Sequence, residues 1–190
     1  MPDPYDVAWY DEYLDKLTVG GAQRLTQLIK IREYDPEWPR LYEREEARIR
    51  SALGDRVVRI EHAGSTSVPG LPAKPIVDIV LEVVDSGDEP SYVPDLEAAG
   101  YRVTIREPEW FEHRVFKGPD TNVNLHTFSA CCEEVDTMLL FRDHLRANAD
   151  DRERYARTKR ELAAHPWKYV QQYADAKTAV VHEIMGRARR

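Results

Sequence analysis

The sequence predicts an α+β protein, in which a mixed sheet flanked by helices is followed by a C-terminal helical segment. Strand-like and helical patterns alternate over residues 31–132, and no strand pattern follows Glu133. Residues 1–30 are mixed in character and contain the flexible pair Gly20-Gly21. These observations divide the chain into an N-terminal arm over 1–30, an α/β core over 31–132 and a helical segment over 133–190 packed on that core.

Each element follows from a local pattern. A helix is predicted over 36–54, because Asp35 can cap it, Pro36 suits its first turn and Gly54 suits its end. Further elements are predicted in order: strands over 56–62 and 75–83, a short helix over 91–100, a strand over 101–107, two strands within 113–128, and helices over about 134–148, 150–164 and 166–188.

Composition narrows the class of protein. The chain has 190 residues, 42% of them hydrophobic, which suits one sizeable domain with its own core. Its net charge of −7 argues against nonspecific nucleic-acid binding, and no apolar run is long enough for a membrane span. The adjacent Cys131 and Cys132 form neither a disulfide framework nor a zinc site, so we expect a cytoplasmic protein. An oligomeric state is not predicted.

One stretch, Glu61–Val83, combines a small-residue loop with an acidic strand and reads EHAGSTSVPGLPAKPIVDIVLEV. Gly64 would let a ligand approach the backbone, the hydroxyls of Ser65, Thr66 and Ser67 are further donors, and Lys74 adds positive charge. Backbone N–H groups in such turns bind phosphate oxygens. The alternative is an ordinary loop, which this composition also fits.

Asp78 interrupts the apolar strand that follows this loop. A buried carboxylate is costly without a cation or hydrogen bonds, so Asp78 indicates either a site or an edge strand with the acid in solvent. A Gly-Ser turn followed by an acidic strand is similar to the layout of the nucleotidyltransferase superfamily. In that superfamily the turn holds a nucleoside triphosphate and carboxylates hold Mg²⁺.

The chain more closely resembles the GrpB family, a bacterial group with a nucleotidyltransferase-like fold that is fused to dephospho-CoA kinase in some bacteria. Over roughly residues 31–185 the resemblance is carried by YDPEWP, IEHAGSTSVPGLPAKPIVDI, HRVF, NLHTF, FRDHLR and KRELA. It implies a nucleotidyltransferase-like sheet. It also implies ATP or another nucleoside triphosphate as ligand, with Mg or Mn as a divalent metal.

The sequence departs from the superfamily pattern at two acidic positions. Val80 stands where the second acid of the strand is usual, and Asn124 or His126 stands where a later strand supplies the third. Asp78 and His126 are therefore predicted to hold a metal or to move a proton. Such a pair suits Mg²⁺ poorly, because that cation prefers oxygen ligands.

Other candidates each have a structural alternative. Arg114 could grip a phosphate or form a surface ion pair with a nearby glutamate, and His62 could be a catalytic base or a strap for the loop. Tyr173 and Lys177 lie on one helical stripe, where Lys177 either points at ligand phosphates or extends its amine to water.

Two weaker cases complete the candidates. Lys159 resembles Lys177 in its setting between apolar residues, while the aromatic pair Trp110-Phe111 is predicted to pack in the core rather than stack on a base.

The leading hypothesis is an enzyme that binds a nucleoside triphosphate and a small molecule. It would transfer a nucleotidyl group to that acceptor, or activate and ligate the acceptor at the expense of ATP. The alternative is a catalytically degenerate module that binds a nucleotide or phosphopantetheine, which the missing acid at Val80 favours. Neither hypothesis includes nucleic acid or a membrane as partner.

Overall fold

A five-stranded mixed sheet forms the centre of the protein in the computed structural model, which describes residues 3–190. The strands are β1 (Arg59–Ala63), β2 (Val77–Val83), β3 (Arg102–Glu107), β4 (His113–Lys117) and β5 (Val123–Ser129). Their spatial order is β1-β2-β5-β4-β3, and only the β2–β5 pair is parallel among them. The acidic strand β2 is therefore an inner strand, which rules out the edge-strand interpretation of Asp78.

Seven α-helices surround the sheet in the described part of the chain. They are α1 (Val7–Leu17), α2 (Glu37–Leu53), α3 (Val93–Ala98), α4 (Glu133–Ala147), α5 (Ala149–Ala163), α6 (Val170–Ala176) and α7 (Thr178–Ala188). The observed α+β architecture confirms the predicted fold class. No helix of residues 3–190 has the length and apolar character needed to cross a membrane.

One face of the sheet forms the main core. Alternate residues of β2, namely Val77, Ile79 and Leu81, are buried against α2 and α3. Because side chains alternate along a strand, Asp78 and Val80 point to the opposite face. The helices α2 and α3 thus fix which face of the sheet is left for a site.

The opposite face is only partly covered. Helix α4 packs Val135 and Leu139 against Val80 and Phe128. Asp78 and its neighbour Asn124 on β5 stay partly accessible instead. The end of the sheet nearest the Gly-Ser turn consequently forms the floor of a cleft.

The predicted helix over 166–188 is wrong in its extent, since the chain forms two helices there. The first of the two, α6, begins at Val170, because the Gln172 side chain accepts hydrogen bonds from the backbone N–H groups of Lys168 and Tyr169. Helix α6 ends before Lys177, whose backbone N–H donates a hydrogen bond to the Ala174 carbonyl in a tight turn, and α7 follows.

The N-terminal arm packs along the free edge of β3. Tyr10 and Leu14 of α1 are buried against Tyr169, and Thr18 pairs with Ile105 of β3. The arm then continues in extended form past the cleft. Met1 and Pro2, the first residues of the predicted arm, lie outside the described part of the chain.

Trp110 and Phe111 do not pack in the core as predicted. Both are about two-fifths exposed, at 41% and 39%. They lie in the β3–β4 turn, where Phe111 has a φ of 54°. The Trp110 ring makes edge-to-face contacts with His113 and Phe128, with ring centres 5.0 and 5.9 Å apart.

Candidate functional site

A cleft of about 1300 Å³ lies over the open end of the sheet. The sheet forms its floor, the arm over 18–23 forms one wall, and α6 with part of α5 forms the other. Seven of the predicted site residues line it: Gly64, Ser65, Lys74, Asp78, His126, Tyr173 and Lys177. Three separate parts of the chain therefore meet at one site.

Asp78 occupies the centre of the cleft floor. Its Oδ1 accepts a hydrogen bond of 2.7 Å from Asn124 Nδ2, which lies directly opposite on β5. Burial raises the pKa of Asp78, but the nearby His126, the hydrogen bond from Asn124 and the charge of Lys74 outweigh burial and lower that pKa. Asp78 is therefore a carboxylate at neutral pH.

Gly64 is required by the close approach of Asp78. Its φ is +64°, and a Cβ there would lie 2.3 Å from Asp78 Oδ2. Only glycine fits such a position without displacing the carboxylate. A larger residue at Gly64 would thus disturb Asp78 before it met any ligand.

Four lysines converge on Asp78. Lys74 Nζ and Lys177 Nζ lie 5.2 and 4.7 Å from the centre of the Tyr173 ring, and Lys117 Nζ donates to Asn124 Oδ1. Lys159 is 2% exposed, and its Nζ donates to the Pro72 carbonyl at 2.5 Å. Asp78 is the carboxylate whose charge acts on all four lysines.

The pKa values of these lysines are lowered mainly by burial of their amines. Burial first, and then the charge of Lys177, lower the pKa of Lys74 to about 8 and that of Lys159 to about 6. Burial also lowers the pKa of Lys117 and of Lys177. An anion placed among them would reverse these shifts, since opposite charge favours the protonated amine.

Tyr173 presents a buried hydroxyl at the cleft wall. It is 1% exposed, lines the cleft, and its hydroxyl has no hydrogen-bond partner among residues 3–190. A buried polar atom without a partner is costly, and a ligand is one way to satisfy it.

A series of contacting side chains runs along the cleft face of the sheet to Asp78. Glu107 Oε2 lies 2.7 Å from His113 Nδ1, His113 Nε2 lies 3.1 Å from His126 Nδ1, and His126 Nε2 lies 3.8 Å from Asp78 Oδ1. The register of β3, β4 and β5 puts these residues on the same face of the sheet as Asp78.

His62, predicted as a base or strap, does not reach the cleft. It lies on the opposite face of β1, 3.1 Å from Thr66 Oγ1 and stacked on the Tyr42 ring at 4.8 Å. Burial lowers the pKa of His62 to about 4. We therefore assign it to holding the loop rather than to catalysis.

Thr66 and Ser67 also act within the loop instead of facing a ligand. The Thr66 hydroxyl contacts His62, and Ser67 Oγ donates to the Gly64 carbonyl at 2.6 Å. Arg146 donates from Nε to the Ser67 carbonyl at 3.0 Å. Of the predicted hydroxyls, only that of Ser65 belongs to a residue lining the cleft.

Arg114 likewise lies away from the cleft, so its predicted phosphate contact is corrected. Strand β4 turns it to the face covered by α2 and α3, where its Nε donates to Glu89 Oε1 at 2.6 Å. Hydrogen bonds from Arg106, and then from Arg114, lower the pKa of Glu89 to about 2 despite its partial burial. Arg114 is thus a buried ion-pair partner, mainly of Glu89.

The donor set does not fit Mg²⁺ or Mn²⁺. Residues 3–190 contain no group of three or more His, Cys, Asp or Glu side chains placed to hold a metal ion. Asp78 and His126 would be two ligands among lysines, and the Asn124 oxygen is engaged by Lys117. Hard cations prefer a set rich in oxygen.

The sequence analysis missed or underrated four contributors to the site: Glu107, His113, Lys117 and Lys159. Lys117 was detectable, because pairing the two strands across the Gly-Pro-Asp turn places it opposite Asn124. Lys159 was underrated because its tight packing against the chain near Pro72 comes from tertiary structure.

Together the mixed sheet, its inner acidic strand and its lysine-lined cleft define an α+β protein with a basic site over one end of the sheet. The chain belongs to the GrpB family: the family model described as GrpB protein matches residues 28–187. The resemblance predicted from the sequence motifs is thereby confirmed.

Individual relatives are similar to this protein over most of its length. A UPF0157 protein of Halalkalibacterium halodurans is 61% identical over 178 residues, covering 94% of this chain and 91% of its own. A UPF0157 protein of Streptomyces coelicolor is 46% identical over 170 residues, covering 90% and 88%. The crystal structure of conserved protein GrpB from Enterococcus faecalis is similar with a TM-score of 0.71 and 30% identity, covering 84% of this chain and 96% of that one.

Proposed function

We propose that the cleft binds a nucleoside triphosphate such as ATP and that the protein transfers a nucleotidyl group from it to a small-molecule acceptor. The observation that carries this proposal is the convergence of four lysines and the Gly64-Ser65 turn around Asp78. Such a concentration of amines suits a polyphosphate, whose oxygens accept charge-assisted hydrogen bonds.

The residues of the cleft would bind the phosphates and would also stabilise the charge that develops on the leaving group. Lys74 and Lys177 neutralise phosphate charge, and the Gly64-Ser65 turn, which lines the same cleft, offers its backbone N–H groups to the phosphates. Tyr173 offers its unpaired hydroxyl to the ligand. When the bond to pyrophosphate breaks, negative charge grows on the leaving group, and fixed ammonium groups stabilise it.

The same site supports ATP-dependent activation of a carboxylate acceptor. A carboxylate oxygen would attack the α-phosphorus, giving an acyl-adenylate and pyrophosphate, and an amine would then displace AMP. The cationic cleft stabilises both leaving groups in the same manner.

The test is turnover with a panel of acceptors. Purified protein is incubated with ATP and separate amino acids, sugars and amines, with Mg²⁺, with Mn²⁺ or with a chelator, while pyrophosphate and AMP are measured. We expect acceptor-dependent release that Lys74→Gln abolishes and the exposed control Lys16→Gln retains. Background release with every acceptor would contradict the enzymatic proposal.

A binding module without chemistry is the second candidate. The observation that favours it is Val80, which is 1% exposed and packed under α4 where the superfamily pattern has a second acid. A nucleotide or phosphopantetheine ligand would suit that module. Calorimetric binding of ATP or phosphopantetheine, accompanied by no product with any acceptor, would favour this candidate over the enzyme.

A further inference from the structure

We infer that His126 Nε2 is the proton acceptor of the cleft, and that Glu107 and His113 position it by fixing the proton of His126 on Nδ1. The positioning follows from the hydrogen-bond chain alone. The catalytic part rests on the proposed function, and it defines the acceptor class as a hydroxyl or amine that loses a proton when it reacts.

Glu107 determines which atoms donate and which accept along the series of hydrogen bonds from Glu107 through His113 to His126. Its Oε1 accepts from the Tyr13 hydroxyl at 3.1 Å, and its Oε2 lies 2.7 Å from His113 Nδ1. Burial raises the pKa of Glu107, but hydrogen bonds from His113 and Tyr13 outweigh burial and lower it. An ionised carboxylate only accepts, so His113 Nδ1 carries a hydrogen.

His113 passes this constraint to His126. Burial lowers the pKa of His113 despite its contact with Glu107, so its ring is neutral at neutral pH. A neutral imidazole with hydrogen on Nδ1 has a lone pair on Nε2. Since that Nε2 lies 3.1 Å from His126 Nδ1, the hydrogen between the two rings belongs to His126.

His126 Nε2 is therefore left without a hydrogen in the neutral ring. It lies 3.8 Å from Asp78 Oδ1, too far for a hydrogen bond, and His126 lines the cleft. If the hydrogen between the rings belonged to His113 instead, His113 would carry hydrogen on both ring nitrogens, and burial of that ring disfavours the charged form. A lone pair directed at a ligand space and backed by an oriented partner is the arrangement of a general base.

In the proposed reaction, proton transfer to His126 accompanies nucleotidyl transfer. The acceptor O–H or N–H gives its proton to His126 Nε2 while its oxygen or nitrogen forms a bond to the α-phosphorus. The bond from that phosphorus to the bridging oxygen breaks, and pyrophosphate leaves with the electron pair. Asp78 then stabilises the imidazolium that has formed 3.8 Å away.

Long-range ¹⁵N–¹H NMR of histidine-labelled full-length protein tests the positioning without any substrate. The His126→Gln spectrum identifies the His126 signals by their loss. In mildly alkaline buffer, we expect wild-type His126 to carry its hydrogen on Nδ1. Glu107→Leu should move that hydrogen to Nε2, Glu107→Asp should restore it to Nδ1, and the exposed control Glu109→Leu should leave it unchanged.

A wild-type His126 with hydrogen on Nε2 overturns the inference, and that spectrum decides even if Glu107→Leu does not fold. An unchanged tautomer in folded Glu107→Leu overturns the role of Glu107. Pyrophosphate release is measured separately: His126→Gln should lower kcat by roughly 10²- to 10⁴-fold and leave the KM for ATP nearly unchanged. If His126 carries its hydrogen on Nδ1 but no acceptor gives turnover, both the catalytic part of the inference and the proposed function are overturned. If His126 carries its hydrogen on Nε2 and turnover is observed, only this inference is overturned.

Discussion

The amines of the cleft are unusual for lysines because burial holds their pKa values low. Lys159 is the extreme case: its pKa is about 6, its Nζ donates to the Pro72 carbonyl and lies over the Tyr155 ring, and Lys177 is the neighbouring charge with the greatest effect. A buried amine of this kind favours its neutral form unless an anion joins it. The site is thus arranged to gain electrostatic stability from a ligand.

Lys159 should make stability depend on pH. The folded pKa of about 6 lies below the unfolded value of about 10.4, so the unfolded chain binds more protons between them. This residue's contribution is favourable at high pH and is lost as pH falls from about 10 towards 6. We expect Lys159→Met to flatten the rise of unfolding free energy with pH, measured by urea denaturation. The exposed control Lys16→Met should keep the wild-type slope, and an equal slope in Lys159→Met would contradict the assignment.

Asp78 should oppose an anionic ligand rather than recruit one through a metal. Two like charges ~4 Å apart repel by about 4 kcal/mol at an effective dielectric of 20. The lysines offset this repulsion, so Asp78→Asn should bind ATP at least as tightly as wild type in the presence of a chelator. Calorimetry checks this, with the exposed Asp55→Asn as control. Binding that requires Mg²⁺ or Mn²⁺ and disappears in Asp78→Asn would restore the predicted metal site.

Strand alternation explains which residues the sequence could place. Asp78 and His126 were chosen from adjacent strands and do share a face, because β2 and β5 pair in register. Arg114 was predicted to contact a ligand, but it faces away from the cleft, because consecutive residues of a strand point to opposite faces and His113 lies on the face of Asp78. Which residues of a strand face the cleft depends on which face of the sheet the helices cover, and the local sequence does not contain that information.

At the scale of elements, local signals predicted the first part of the chain better than the last. The helix predicted over 36–54 is observed at Glu37–Leu53, because proline and glycine mark its ends. The break at Lys177 has no such marker. It arises where α6 packs on the arm while α7 packs on the loop over 68–71.

The C-terminal helices should be inseparable from the core. Tyr155, Val180 and Ile184 of α5 and α7 bury Val68 and Leu71 of the loop. Truncation after Asp150 removes these partners and exposes an apolar patch, so we expect the fragment to aggregate. Size-exclusion chromatography and binding of a hydrophobic dye test this, with removal of residues 189–190 as control. A soluble, well-folded fragment that binds ATP would show that the helices are an independent appendage.

The whole molecule combines an acidic exterior with a basic interior site. Its net charge is −7, yet four lysines surround the centre of the cleft. A polyanion is therefore attracted only at short range, and the Debye length of about 8 Å at physiological salt screens the distant acidic surface. Residues far apart in sequence build this arrangement: Lys74 and Lys177 were predicted from the sequence, whereas Lys117 was missed and Lys159 was underrated.

Calorimetric titration of ATP into wild type and the double variant Lys74→Gln/Lys177→Gln tests the central claim that the cleft is a polyphosphate site. Each charge-assisted hydrogen bond contributes roughly 1.5–3 kcal/mol, and each 1.4 kcal/mol is about tenfold in affinity. We predict that the double variant binds ATP on the order of 100-fold more weakly, while the exposed control Lys16→Gln/Lys30→Gln binds like wild type. Equal affinity in the folded double variant, or no binding by wild type, would contradict the claim.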